Sequence, residues 1–188
     1  MAISSGVMAP RSRPAGALIV AAFDAKYDLA KRKSPPSHRI GAQMDKIKPL
    51  FTATATATGG RNGHSEASDR SVAVDLSVPK AMGGPGKPNT TTPEHLFAAG
   101  YAACFGGALD FVAKQQKQDA TKARVTCSVS IGPREGGGFG IAVNMHVEDK
   151  SLAQATLASL VREAHEKICP YSHATRGNVE VQLEVVGG

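Results

Sequence analysis

The chain has 188 residues, 41% of them hydrophobic, enough for one compact domain with its own core. The net charge of +6 is uneven: residues 1–43 hold seven Lys/Arg against two acids, a balance of +5, which leaves +1 on the rest. The basic character therefore belongs to the leader and does not argue for a nucleic-acid groove on the domain. No run approaches the ~20 apolar residues of a membrane span. Three cysteines are too few for a secreted disulfide framework, which favours a reducing, cytoplasmic setting with thiols used for packing or chemistry.

Residues 1–43 read as a weakly structured basic extension, and 44–188 as the folded domain. The apolar run ALIVAAF at 17–23 follows Arg11 and Arg13, so an export or transit signal is the competing reading. The run is short, and the charged, Pro-containing KRKSPPSHR after it favours an extension. FTATATATGG (51–60) alternates with period two and predicts a strand. SVAVDLSVP (71–79) predicts another, with Val72, Val74, Leu76 and Val78 on one face and Arg61 to Arg70 as the hairpin connection. The Gly/Pro-rich 80–92 segment reads as an irregular connector, because no Walker lysine-serine pair opens the next helix.

A helix is predicted from Thr92, a good N-cap, with Pro93 at the first helical position, to about Gln116. Leu96, Ala99, Ala103, Gly107 and Phe111 recur at three- and four-residue spacing, and nearly every face is apolar. Such a helix is expected to be covered on all sides by a sheet and a second helix or subunit. ARVTCSVSIG (123–132) and FGIAVNMHV (139–147) predict strands joined by the PREGGG turn. Ser151 is expected to cap a second helix over 152–168, stopped by Pro170, and NVEVQLEVV (178–186) closes the chain as a strand. The order ββ-α-ββ-α-β is that of an α+β fold.

Four residue types are weighed for chemistry: cysteine, arginine, glutamate and histidine. Cys104 lies mid-helix in apolar surroundings and Cys169 lies at a helix end, 65 residues on. Periodicity alone reads both as buried structural thiols and leaves a reactive role open. Cys127, in phase with Val125, Val129 and Ile131, reads as core. Arg61 alone is a solvated turn charge, and Glu94 a carboxylate favoured by the helix N-terminus. His165, Cys169 and His173 are spaced by four, but Pro170 interrupts them and no zinc site is read there.

The stretches FTATATATGGR, TTTPEHLFAAGYAACFGGAL, IGPREGGGFGIAV and CPYSHATRGN, in this order, resemble the organic hydroperoxide resistance proteins of the OsmC/Ohr superfamily. The resemblance runs from about Met44 to Val186. It implies an OsmC/Ohr-like α+β fold, with antiparallel sheets around two central helices in an intertwined homodimer. It implies a thiol peroxidase with Cys104 as peroxidatic and Cys169 as resolving cysteine, and with Arg61 and Glu94 activating the thiolate. It also implies a dihydrolipoyl dithiol, on a lipoylated protein, as reductant, with no bound cofactor or metal and no nucleic-acid or membrane partner. His173 departs from the pattern, where Asn is more usual.

Three expectations follow. Phe97, Phe105 and Leu109, with the 80–91 loop, would form an apolar entrance favouring alkyl, aryl or fatty-acid hydroperoxides. Glu94 precedes Cys104 by ten residues, about 15 Å along one straight helix, so Arg61 and Glu94 are expected to serve the partner's cysteines. The rival reading is a non-enzymatic thiol switch or hydrophobic-ligand binder on the same fold.

Overall fold

Residues 46–188 are described by the structure, a computed structural model, and the compact unit spans Phe51–Gly188. The basic leader and its possible targeting role lie outside the described residues. The elements run β1 (Ala55–Thr58), β2 (His64–Ala67), β3 (Ala73–Asp75), α1 (Pro93–Gln115), β4 (Arg124–Pro133), β5 (Phe139–Asp149), α2 (Gln154–Glu163), α3 (Pro170–Thr175) and β6 (Val181–Gly187). They build an α+β fold with two three-stranded sheets, ordered β1-β2-β3 and β4-β5-β6.

The first sheet departs from the expected hairpin. The segment expected to connect two strands itself holds β2, paired antiparallel to both neighbours. The reversal after β1 is made by Gly59 and Gly60, at φ 74° and 56°, conformations that only glycine adopts freely. Gly63 closes it: a Cβ there would lie 1.8 Å from the Thr58 carbonyl oxygen. Arg61 is thereby held at the tip of a tight turn. Beyond β3, Leu76 and Ser77 are buried and the chain bridges to Thr91. The 80–91 loop is tied down by backbone bonds from Gly86 to Val78 and from Thr91 to Asp75, and by the Lys87 amide donating to Ser77 Oγ.

Helix α1 begins as expected. The Thr92 side chain accepts from the His95 amide, and Pro93 opens the first turn. Its 23 residues run without a break. Tyr101, Phe105, Ala108, Leu109, Val112 and Ala113 are buried against the second sheet and the later helices. Burial on all sides is not found in the single chain. Ala99, Ala103, Gly107 and Phe111 form an exposed stripe at four-residue spacing, with Phe111 49% exposed. The helix is also long and apolar enough, by length and composition, to cross a membrane, contrary to the reading of the sequence. Alanine and glycine contribute much of this, and Tyr101, Phe105, Leu109 and Val112 are core residues.

In the second sheet, β4 and β5 form an antiparallel pair from Arg124↔Glu148 to Pro133↔Phe139. Val125, Cys127, Val129 and Ile131 alternate inward, as expected, opposite the buried Val143, Met145 and Val147. β6 runs parallel to β5, the exception to an antiparallel scheme. The helical crossover between them returns the chain to the same end of the sheet, as a parallel neighbour requires.

That crossover corrects the second expected helix. Ser151 donates its hydroxyl to Asp149 Oδ1 at 2.5 Å instead of capping, and α2 starts only at Gln154. After Glu163 it widens into a π-type turn, Ala164–Ile168, where the Cys169 amide reaches back to the Ala164 carbonyl at 2.8 Å. Pro170 does not end helical structure but opens α3, because its missing N–H costs nothing at a first position.

Candidate active site

Two pairs of side chains stand out, each assembled from distant parts of the chain. The Cys104 and Cys169 sulfurs lie 3.6 Å apart, and both thiols are free. Cys104 is half-buried on α1, while Cys169, 1% exposed, joins the π turn to α3. π turns recur at functional sites because they shift a side chain off the regular helical face. Closing 3.6 Å to the ~2.05 Å of a disulfide needs only a small movement.

A buried polar network holds the two segments together. Tyr101 Oη lies 3.0 Å from Ser172 Oγ and 3.3 Å from Thr175 Oγ1. Ser172 Oγ in turn lies 3.0 Å from His165 Nδ1. Arg176 donates to the His165 and Glu166 carbonyls, satisfying the end of the π turn. Phe97, Tyr101 and Tyr171 form an aromatic cluster with centroids 5.7–5.9 Å apart, and Tyr171 lies over Gly100, where a Cβ would come within 3.2 Å of its hydroxyl.

Burial pushes the Cys104 thiol above its ordinary pKa. A hydrogen bond from the Tyr171 backbone amide opposes this, and neighbouring Cys169 adds to it. Burial, then the Arg176 charge, lowers the His165 pKa from its ordinary value. Cys127 is raised by burial alone, as befits a core thiol.

The second pair is Arg61 and Glu94. The guanidinium forks onto the carboxylate, Nη1 to Oε2 at 2.9 Å and Nη2 to Oε1 at 2.5 Å. Each hydrogen-bonds the other's charged form, so the arginine is raised and the glutamate lowered from their ordinary values, against some burial. Both stay ionised, and the fork fixes the plane of the guanidinium. The pair sits at a cavity of about 580 Å³ whose further walls include Ile131, Arg134, Phe139, Ile141 and Val179. Neither cysteine of the same chain lines that cavity.

The structure thus brings Arg61 to Glu94 and Cys104 to Cys169. The expected entrance is corrected in part. Phe105 and Leu109 are 0% and 1% exposed, because they share the Tyr101 stripe that faces the core. Phe97 alone is half-buried, edge-on to Tyr101. His173 is exposed on α3. Sequence reasoning missed Tyr101, Ser172 and Arg134. Tyr101 reads as one more core residue, and the glycine-rich turn around Arg134 reads as a connector.

Comparison with known proteins places this architecture. Residues 84–184 match the family model of OsmC-like proteins. The organic hydroperoxide resistance protein of Xanthomonas axonopodis pv. citri is 48% identical over 137 residues, covering 72% of this chain and 94% of the relative. Organic hydroperoxide resistance protein OhrB of Bacillus subtilis is 48% identical over 139 residues, covering 72% and 98%. The crystal structure of an organic hydroperoxide resistance protein from Legionella pneumophila superposes with a TM-score of 0.69 at 45% identity, covering 74% of this chain and 99% of that one. The chain belongs to the OsmC-like protein family, among the organic hydroperoxide resistance proteins.

Proposed function

We propose that this protein is a cysteine-based peroxidase that reduces organic hydroperoxides to alcohols in defence against oxidative stress. The observation that carries the reading is the pair of free thiols 3.6 Å apart, one on the central helix and one at its packed neighbour. The Cys104 thiolate attacks the terminal peroxide oxygen. The S–O bond forms as the O–O bond breaks, and the alkoxide takes a proton and leaves as alcohol. Cys104 is now a sulfenic acid. Cys169 attacks it, water leaves, and a disulfide forms before further oxidation. A dihydrolipoyl dithiol, free or on a lipoylated protein, reduces the disulfide and is itself oxidised to a cyclic disulfide.

The thiolate needs a cation, because burial alone disfavours it. Arg61, oriented by Glu94, suits that task. Three observations support its acting on the partner chain of a homodimer. Helix α1 is unbroken between Glu94 and Cys104, so the two stay about 15 Å apart along its axis. The cavity around Arg61 takes neither cysteine of its own chain. The exposed Ala99, Ala103, Gly107, Phe111 stripe is shaped for close approach of a second copy of the helix.

The test is consumption of cumene hydroperoxide and hydrogen peroxide with dihydrolipoamide, by wild type and Cys104→Ser. Turnover of the organic peroxide, lost in the variant, is the expected result. A disulfide that forms without turnover would instead make Cys104 a switch. Mixed dimers of Cys104→Ser and Arg61→Ala test the shared site. Two inactive parents should regain activity on subunit exchange, and a site within one chain would regain none.

A further inference from the structure

The β4–β5 turn is built around an arginine. Gly137 and Gly138, at φ 89° and 74°, make the reversal itself. Gly140 has a different reason to be glycine. Its backbone is ordinary strand, but a Cβ there would lie 2.9 Å from Arg134 Cγ and 3.1 Å from Cδ, and one at Gly138 would lie 3.3 Å from Arg134 Nη2. The Arg134 stem is therefore laid across the bare face of β5, with its guanidinium above Gly138. Glycine inside a strand often marks such a close approach.

This places Arg134 on the wall of the cavity that also holds the Arg61–Glu94 fork. The two arginines differ electrostatically. Arg61 is neutralised by a bidentate carboxylate, whereas among the described residues no carboxylate pairs with Arg134. The cavity side chains thus carry one uncompensated positive charge. Ile131, Ile141 and Val179 give the same cavity an apolar lining. At about 580 Å³ the space suits a ligand of drug size. An unpaired cation, an apolar lining and the Arg61–Glu94 pair in one cavity match an amphipathic anion.

We propose that Arg134 is a specificity-determining residue: its guanidinium binds the carboxylate of a long-chain acid whose hydroperoxide is presented to the Arg61–Glu94 pair in the same cavity. The inference rests on the peroxidase reading above. It adds that the site selects ionised over neutral substrates of the same chain length. A guanidinium meets a carboxylate through two parallel N–H···O bonds, which an ester cannot match in charge.

The experiment compares kcat/KM for linoleic acid hydroperoxide with that for its methyl ester, in the wild-type dimer, Arg134→Gln, Arg134→Lys and Gly140→Ala. The acid-to-ester ratio in each variant cancels any loss common to both substrates. Wild type is expected to favour the acid about tenfold (about 1.4 kcal/mol), and Arg134→Gln to bring the ratio near one. Arg134→Lys keeps a charge without the fork and should fall between. Gly140→Ala keeps the arginine but displaces its stem, so its ratio should fall as well. A ratio unmoved in Arg134→Gln overturns the proposal. Binding of dodecanoate against dodecanol, which needs no turnover, separates the two readings. If wild type reduces neither hydroperoxide, weaker dodecanoate binding by Arg134→Gln still supports the anion site, and equal binding overturns it.

Discussion

Replacing Ser172 by alanine tests whether the buried network sets the spacing of the two sulfurs. Tyr101 stands three residues before Cys104, and Ser172 three after Cys169, so their bond ties the sulfur-bearing segments directly. Both residues are 0% exposed. In Tyr101→Phe the tie is lost, but Ser172 keeps His165 at 3.0 Å and Thr175 keeps the Tyr171 carbonyl at 2.9 Å. No polar partner is stranded, so the cost should be near the net value of a hydrogen bond, about 1 kcal/mol. Ser172→Ala also strips His165 Nδ1 of its partner in the network. An unpaired, part-buried polar group adds about 1–3 kcal/mol, so the serine variant should cost more, about 2 kcal/mol in all. Urea unfolding of the reduced protein, at one fixed protein concentration, measures both. The functional readout is the fate of Cys104 after a several-fold excess of peroxide. Ser172→Ala should give less disulfide and more sulfinic acid by intact mass, because a displaced Cys169 loses the race with a second peroxide. Equal costs for the two variants, or an unmoved disulfide yield in Ser172→Ala, would refute the reasoning.

Three further outcomes are expected. Cys169→Ser should react once with peroxide and then gain a second oxygen on Cys104, losing dithiol-supported turnover; mass spectrometry of the peroxide-treated protein checks this. Burial raises the Cys104 pKa, and the role proposed for Arg61 is to oppose it, so Arg61→Ala should move the pH midpoint of its alkylation by iodoacetamide upward from wild type; an unmoved midpoint would remove Arg61 from thiolate activation. Gly63→Ala drives a methyl into the Thr58 carbonyl, 1.8 Å away, so the turn that carries Arg61 must rearrange. A displacement of this kind costs about 100-fold in turnover, read as kcat for cumene hydroperoxide.

The parts legible in the sequence were those with local causes. Thr92 followed by Pro93 marks a helix start, and the Val125 to Ile131 alternation marks a strand, because cap chemistry and the pleat act within a few residues. β2 was missed because His64-Ser-Glu-Ala has no apolar alternation, and none is needed in a sheet whose first strand is exposed throughout. The π turn leaves no local signature, and Pro170 reads equally as the stop of one helix or the first residue of the next. Whether β6 runs parallel or antiparallel depends on the end to which the crossover returns, a tertiary fact.

The site divides along the same line. Periodicity cannot join Cys104 to Cys169 across 65 residues, and reads each as packing. The pairing was reached through resemblance, and the 3.6 Å separation supplies the geometry. Tyr101 shares its stripe with Phe105 and Leu109, and what distinguishes it is a hydroxyl whose partner lies 71 residues on. One side-chain contact did leave a trace. Gly140 interrupts an otherwise regular β5, and a strand glycine that no turn requires points to something lying against the backbone. Here that something is the Arg134 stem. The glycine-rich turn is thus a seat for a side chain as well as a connector, which is why a substitution at Gly140 can report on a charge it does not carry.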